Sequence, residues 1–259
     1  MPFPKHIIKA VFQSFGYQVR KCPKSLSSAA SFLHLDPFYD QQFLLRNIAV
    51  DTIFDIGAHI GETAKQYHQL FPKAKIVSFE PFPDSYAQLS EFSATIEQIE
   101  AHNLAVDTAT GEKTFYSTSF SPMNSLLPLA ESSGKHYEQA VSTVVDSIHV
   151  KATSLDDFCK NRNIQKIQIC KMDIQGAELL ALQGAVELLT NKGVDLFYLE
   201  VSFNEIYQNQ ALFYQICDFL ARYDYKLFGV YNLYHGKNNL SLVAGDALFL
   251  SPRIADSLE

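Results

Sequence analysis

Tryptophan is absent from this chain of 259 residues, and the four cysteines, Cys22, Cys159, Cys170 and Cys217, are scattered, with no C-x-x-C pair and no metal-ligand spacing. That rules out a disulfide framework and a zinc ribbon, and leaves thiols that pack as small apolar groups. A basic excess is missing too: 21 Lys and Arg face 28 Asp and Glu, for a net charge of -7. Proteins that track phosphate backbones carry a basic stripe, so no nucleic-acid partner is expected. No apolar run reaches membrane-spanning length, and the start M-P-F-P-K-H-I-I-K-A-V-F has no small-residue cleavage site. A cytoplasmic protein with no integral membrane segment is expected, with peripheral lipid contact through Ile7, Ile8, Val11 and Phe12 as an alternative. Glycine is sparse, with 11 residues, so a cluster of two within five positions stands out.

That cluster lies in residues 54–64, F-D-I-G-A-H-I-G-E-T-A. Ile53, Phe54 and Ile56 favour a strand, Gly57 and Gly61 permit a sharp turn, and Thr63, Ala64, Tyr67 and Leu70 begin a helical stripe. A strand running through a glycine turn into a helix presents fresh helix N–H groups to a nucleotide-like ligand. Residues 74–81, A-K-I-V-S-F-E-P, form a second apolar strand that ends in Glu80. A carboxylate about twenty residues past the glycine turn can accept both hydroxyls of an adenosine ribose. Two ligands fit this arrangement, NAD and S-adenosylmethionine. A dinucleotide fingerprint requires G-x-G-x-x-G, but counting from Gly57 the second glycine is His59 and the third is Glu62. A side chain at position 59 hinders close approach of a pyrophosphate, which favours the phosphate-free cofactor.

Alternation continues along the chain and predicts a parallel sheet covered on both faces. Strands are expected at 51–56, 75–79 and 99–106, with helices at 61–70 and 83–94 between them. Residues 1–50 read as a helical N-terminal cap, and 51–259 as the ligand-binding domain with an insertion around 107–150. Within that insertion, 119–140 suits a loop or lid, and 141–150 is strand-like. Thr153 or Ser154 can cap a helix whose first turn holds Asp156 and Asp157. The strand 167–174 then runs straight into a helix, 194–201 is a further buried strand, and 210–222 is amphipathic. Residues 226–231 and 247–250 pair as closing strands around H-G-K-N-N-L.

The blocks D-I-G-A-H-I-G, F-E-P, N-L-A-V, T-S-L-D-D-F, K-M-D-I-Q-G-A-E-L-L-A-L-Q-G-A and Y-L-E-V occur in this order between about 50 and 250. In this ordered set the chain resembles the FkbM family of S-adenosylmethionine-dependent methyltransferases. The resemblance implies a class I methyltransferase Rossmann-like α/β fold, with a mostly parallel seven-stranded sheet and an antiparallel closing strand. It also implies methylation of an oxygen on a sugar or natural product. Two positions depart from the family pattern: His59 stands where Asn is usual, and Gln175 where Glu is usual. The first bears on cofactor contacts and the second on the acceptor pocket.

Candidate cofactor contacts are Asp55, which can organise the glycine turn and meet an ammonium, then Gly57, His59, Gly61, Thr63, Glu80 and Pro81. Asn103 and Ala105 can line an adenine after the third strand, and Asp173 stands at a strand end in the usual ligand crevice. Asp173 and Glu200 end two different strands at one sheet edge, so both can flank an acceptor and serve as catalytic carboxylates. Asn124, Ser125, Gln175 and Glu178 are candidate acceptor contacts, although Glu178 also reads as a helix-dipole charge. The acceptor is a small molecule, a glycan or a peptide, and no metal site is expected. Side-chain N-methylation of a peptide, an NAD-dependent oxidoreductase and a non-catalytic nucleotide-binding module stay open as alternatives, as does an oligomer.

Overall fold

A computed structural model describes residues 33–136, 144–236 and 241–258. Cys22, the apolar residues Ile7, Ile8, Val11 and Phe12, and most of the expected cap lie outside these residues. Among the described residues, no helix is long and apolar enough to cross a membrane.

The main sheet has seven strands in the order β3-β2-β1-β7-β8-β10-β9. These are β1 (Thr52–Ile56), β2 (Lys75–Phe79), β3 (Ile99–His102), β7 (Ile167–Met172), β8 (Val194–Ser202), β9 (Lys226–His235) and β10 (Leu242–Leu250). Neighbours from β3 to β8 are parallel, and β10 runs antiparallel to both β8 and β9. The expected mostly parallel sheet with an antiparallel closing strand is therefore present. Its strands are long apolar runs because both faces are covered. Phe54, Ile56, Val77, Phe79, Cys170 and Phe197 pack into one core layer, and Ile53, Ile76, Ile169, Leu196 and Leu248 into the other.

Helices α1 (Pro37–Leu44), α2 (Glu62–Leu70) and α3 (Pro83–Ser93) come early in the chain. Helix α1 is the described part of the expected cap. Asp36 caps it by accepting the N–H groups of Phe38 and Tyr39, and Asp40 ties it to β9 by accepting the Tyr231 hydroxyl at 2.6 Å. Helix α4 (Leu155–Arg162) is capped by Ser154, which accepts the N–H of Asp157.

The structure differs from the sequence reading in two places. The strand expected over 99–106 is two: β3 stays in the main sheet, while β4 (Ala105–Val106) pairs with β6 (Val144–Thr153) of a second sheet. Asn103 marks the divide, its amide donating to the carbonyls of Glu80 and Pro81 at 2.9 and 3.0 Å. That second sheet has the order β4-β6-β5, with β5 at Gly111–Thr118, so the strand-like stretches of the insertion around 107–150 pair with each other and not with the main sheet. The helix expected after Asp173 is broken into α5 (Glu178–Gln183) and α6 (Val186–Thr190). The Asp156 carboxylate accepts the N–H groups of Glu187 and Leu188 and so caps the second piece. Helices α7 (Phe213–Ala221) and α8 (Pro252–Asp256) complete the described chain.

Candidate functional site

The glycine turn forms where β1 ends and α2 begins. Gly57 has φ +74, and a Cβ there would lie 1.9 Å from the Asp173 carbonyl oxygen, so β7 can approach the turn only because position 57 has no side chain. His59 also adopts a left-handed conformation, φ +49. Its N–H donates to Glu80 Oε2 at 2.9 Å, and its Nε2 lies 2.9 Å from the Ser121 hydroxyl. Burial lowers the His59 pKa below the ordinary histidine value, favouring a neutral ring.

A cavity of about 290 Å³ opens at this turn. Leu104, Ala105, Phe115 and Leu126 supply apolar wall, and Glu80, Thr63, Lys171, Asp173 and Gln175 supply polar wall. Glu80 is 6% exposed and accepts two backbone N–H groups, from His59 on Oε2 and from Phe82 on Oε1, the latter at 2.8 Å. Burial pushes its pKa up to about 7.

Behind the turn runs an ionic row set by strand register. Asp55 faces Lys171 across β1 and β7, Lys171 faces Tyr198 across β7 and β8, and Glu200 faces Asp246 across β8 and β10. Residues paired in this way share a face, as do those two apart on one strand. The Lys171 ammonium sits 3.2 Å from Asp55 and 3.9 Å from Asp173. It also donates to the carbonyl of Gly57 at 2.9 Å. Burial pulls the lysine pKa down, but Asp55, Asp173 and Glu200 outweigh it and hold Lys171 above its ordinary value. Asp55 is fully buried, its pKa raised by desolvation against the opposing pull of Lys171; the cavity wall does not include it.

The Gln175 side chain joins the two expected catalytic carboxylates. Its Nε2 donates to Asp173 Oδ1 at 3.0 Å and to Glu200 Oε2 at 2.8 Å, while its Oε1 accepts the Tyr207 hydroxyl at 2.8 Å. The Tyr207 hydroxyl also lies 3.0 Å from the Met123 carbonyl, which can share its one proton, and the Ser125 hydroxyl donates to the Gln175 carbonyl at 2.7 Å. Burial, and the Asp173 carboxylate after it, raise the Glu200 pKa well above its usual value.

The remaining expected residues take distinct places. Thr63, Pro81, Ala105 and Asn124 line the cavity, whereas Gly61, Asn103, Ser125, Glu178 and Glu200 do not. Asn124 accepts the Thr118 N–H through Oδ1, and its amide nitrogen has no hydrogen-bond partner among the described residues. Glu178 is 4% exposed at the start of α5 and accepts the Ile174 N–H at 2.9 Å, so it braces the turn at 174–176.

Burial pushes the Glu178 pKa to about 7. Between an unfolded value near 4.5 and that figure, the fold binds more protons than the unfolded chain, so this group's contribution to stability declines as pH rises through that window. Glu178→Gln keeps an acceptor for Ile174 without a charge, although its NH2 replaces an oxygen that faces backbone N–H groups. Relative to the parent it is expected to gain about 1–3 kcal/mol of stability between pH 5 and pH 8. Urea unfolding at both values checks this, and a difference from the parent that does not change with pH would show that the buried carboxylate costs nothing.

Sequence reasoning missed Lys171, Ser121, Phe115, Leu126, Tyr198 and Asp246. The one available signal was the lysine itself, a lone charge in the middle of the apolar strand I-Q-I-C-K-M-D-I.

The sequence profile of the family described as methyltransferase FkbM domain matches residues 55–227. The 2-O-methyltransferase NoeI of Sinorhizobium fredii is 28% identical over 176 residues, spanning 66% of this chain and 72% of that protein. Methyltransferase sdnD of Sordaria araneosa is 27% identical over 181 residues, spanning 61% of this chain and 70% of that protein. Magnesium protoporphyrin IX methyltransferase from Synechocystis PCC 6803, solved with bound SAM, superposes with a TM-score of 0.45 at 10% identity, covering 95% of this chain and 96% of that one.

Proposed function

Because the chain belongs to the methyltransferase FkbM domain family, and so is an S-adenosylmethionine-dependent methyltransferase with a class I Rossmann-like fold, we propose that it methylates a hydroxyl oxygen of a sugar or natural product. The observation that carries this reading is the pair Asp173 and Glu200, bridged by one Gln175 amide beside the cofactor cavity. The name of the 2-O-methyltransferase relative points the same way.

The cavity fits the cofactor. Each Glu80 oxygen accepts one backbone N–H and keeps further lone pairs for two ribose hydroxyls. The apolar wall of Leu104, Ala105, Phe115 and Leu126 suits an adenine ring, and Asn124 brings an amide nitrogen without a partner among the described residues. Thr63, Asp173 and Gln175 are left for the amino-acid end. Asp55 acts one layer back, holding Lys171, which fixes the Gly57 carbonyl and hence the turn.

When bound, S-adenosylmethionine supplies a methyl group activated on a sulfonium. The protein then has to align the attacking oxygen and remove its proton, and alignment alone can account for much of the rate. Asp173, with a half-exposed side chain, orients the hydroxyl. Glu200, whose affinity for protons is raised by burial beside Asp173, receives the proton as the new bond forms. A hydroxyl acceptor needs such a base, whereas a neutral nitrogen acceptor mainly needs its developing positive charge stabilised.

Isothermal calorimetry is expected to show binding of S-adenosylmethionine and S-adenosylhomocysteine, and mass spectrometry to show addition of one methyl to hydroxyl-bearing candidates. Methylation confined to nitrogen would refute the acceptor class. Asp173→Asn is expected to lower kcat about a hundredfold at saturating S-adenosylmethionine, beyond whatever cofactor affinity is lost with its contact to the amino-acid end. Full turnover in that variant would remove Asp173 from the reaction.

A further inference from the structure

A second recess, of about 170 Å³, lies on the same sheet edge as the cofactor cavity. Phe38 comes to it from α1, Thr63 from α2, Lys171 from β7 with Asp173 just past its end, Tyr198 and Glu200 from β8, and Asp246 from β10. Thr63, Lys171 and Asp173 line both spaces, so the two cavities share a wall. We propose that this recess is the acceptor subsite and that it takes a neutral hydroxylated ring, one hydroxyl of which passes Asp173 toward the cofactor cavity. This inference rests on the methyl-transfer reading above.

The hydrogen-bonding pattern of the recess calls for donors. Tyr198 and Asn232 donate to the same oxygen of Asp246, Oδ2, at 2.7 and 2.6 Å. Gln175 takes one oxygen each of Asp173 and Glu200. Glu200 and Asp246 are thus each oriented by the protein through one oxygen and keep the other for a ligand, while the second oxygen of Asp173 faces the Lys171 ammonium at 3.9 Å. Hydroxyl groups supply donors at this spacing, since Glu200 and Asp246 are opposite one another across a β-ladder and facing residues lie about 5 Å apart.

Phe38 supplies the contrasting surface. Its ring packs against Tyr67 at 5.4 Å and Tyr198 at 5.8 Å between centroids, so the neighbours hold it in place. An apolar ring beside acceptor oxygens matches a saturated ring with C–H groups on its face and hydroxyls at its edge. A cationic ligand fits less well. The Lys171 ammonium is part of the shared wall and would repel a second cation.

The test uses protein saturated with S-adenosylhomocysteine, whose binding is first measured by calorimetry. Failure at that step strikes the methyl-transfer reading itself. Saturation-transfer NMR is then recorded against a panel of methyl hexopyranosides and methyl 6-deoxyhexopyranosides, with agmatine as the cationic probe. Signals are expected from at least one glycoside, with affinity falling tenfold or more in Asp246→Asn and in Phe38→Ala. Affinity for S-adenosylhomocysteine should stay within twofold in both variants, which also reports that they fold. Absence of any glycoside signal, retention of it in both variants, or binding of agmatine alone would overturn the proposal.

Discussion

Replacing Glu80 by glutamine is expected to lower affinity for S-adenosylmethionine and S-adenosylhomocysteine at least a hundredfold, although the side chain keeps its size. Two effects combine. Both carboxylate oxygens already accept a backbone N–H, from His59 and from Phe82. An amide offers one acceptor oxygen, so in either orientation its NH2 group faces one of those N–H donors. The glycine turn or the segment after β2 must then move. In addition, a hydrogen bond to a charged acceptor contributes roughly 1.5–3 kcal/mol, and two ribose hydroxyls are in question. Glu80→Ala removes the ribose acceptor without adding a donor, so comparing the two variants separates the contributions. Calorimetry with S-adenosylhomocysteine measures both, and a glutamine variant that binds within about threefold of the parent would take Glu80 out of the cofactor site.

Lys171→Met is expected to destabilise the fold by about 3–5 kcal/mol, the range found when one partner of a buried ion pair is removed. Asp55 is fully buried, and its ion-pair partner is Lys171 at 3.2 Å. Without the ammonium that carboxylate must stay charged in an apolar layer or take up a proton. For a protein of this size the loss corresponds to roughly 6–20 °C in thermal midpoint. The double variant Asp55→Asn/Lys171→Met removes the stranded charge and is expected to recover more than half of the stability. Calorimetric melting of parent, single and double variants decides the matter: a single variant within about 1 kcal/mol of the parent would mean that the pair is not a structural element.

The same residues show what a sequence displays and what it hides. Strands β1, β2, β7 and β8 were legible because a sheet covered on both faces requires unbroken apolar runs, and Glu80 was legible because it closes such a run. Lys171 was not, since its meaning depends on register: only the pairing of β1 with β7 puts it opposite Asp55. The recess beside Asp173 was hidden for the same reason, its walls coming from Phe38, Tyr198 and Asp246, which are far apart in sequence. Asn103 was read as an adenine contact from its place after β3, while its amide is occupied by the Glu80 and Pro81 carbonyls. The short strand β4 was misjudged because Ala105 and Val106 are apolar in either sheet, and only the partner strand decides between them.

Strand β10 follows β9 in the chain but lies between β8 and β9 in the sheet. While the polypeptide is being synthesised, at about 5–20 residues per second, β8 therefore waits with an open edge until residues 242–250 have emerged. An unpaired apolar edge is a template for association with other chains. Nascent chains stalled between residues 202 and 242 should consequently be the ones that recruit chaperones.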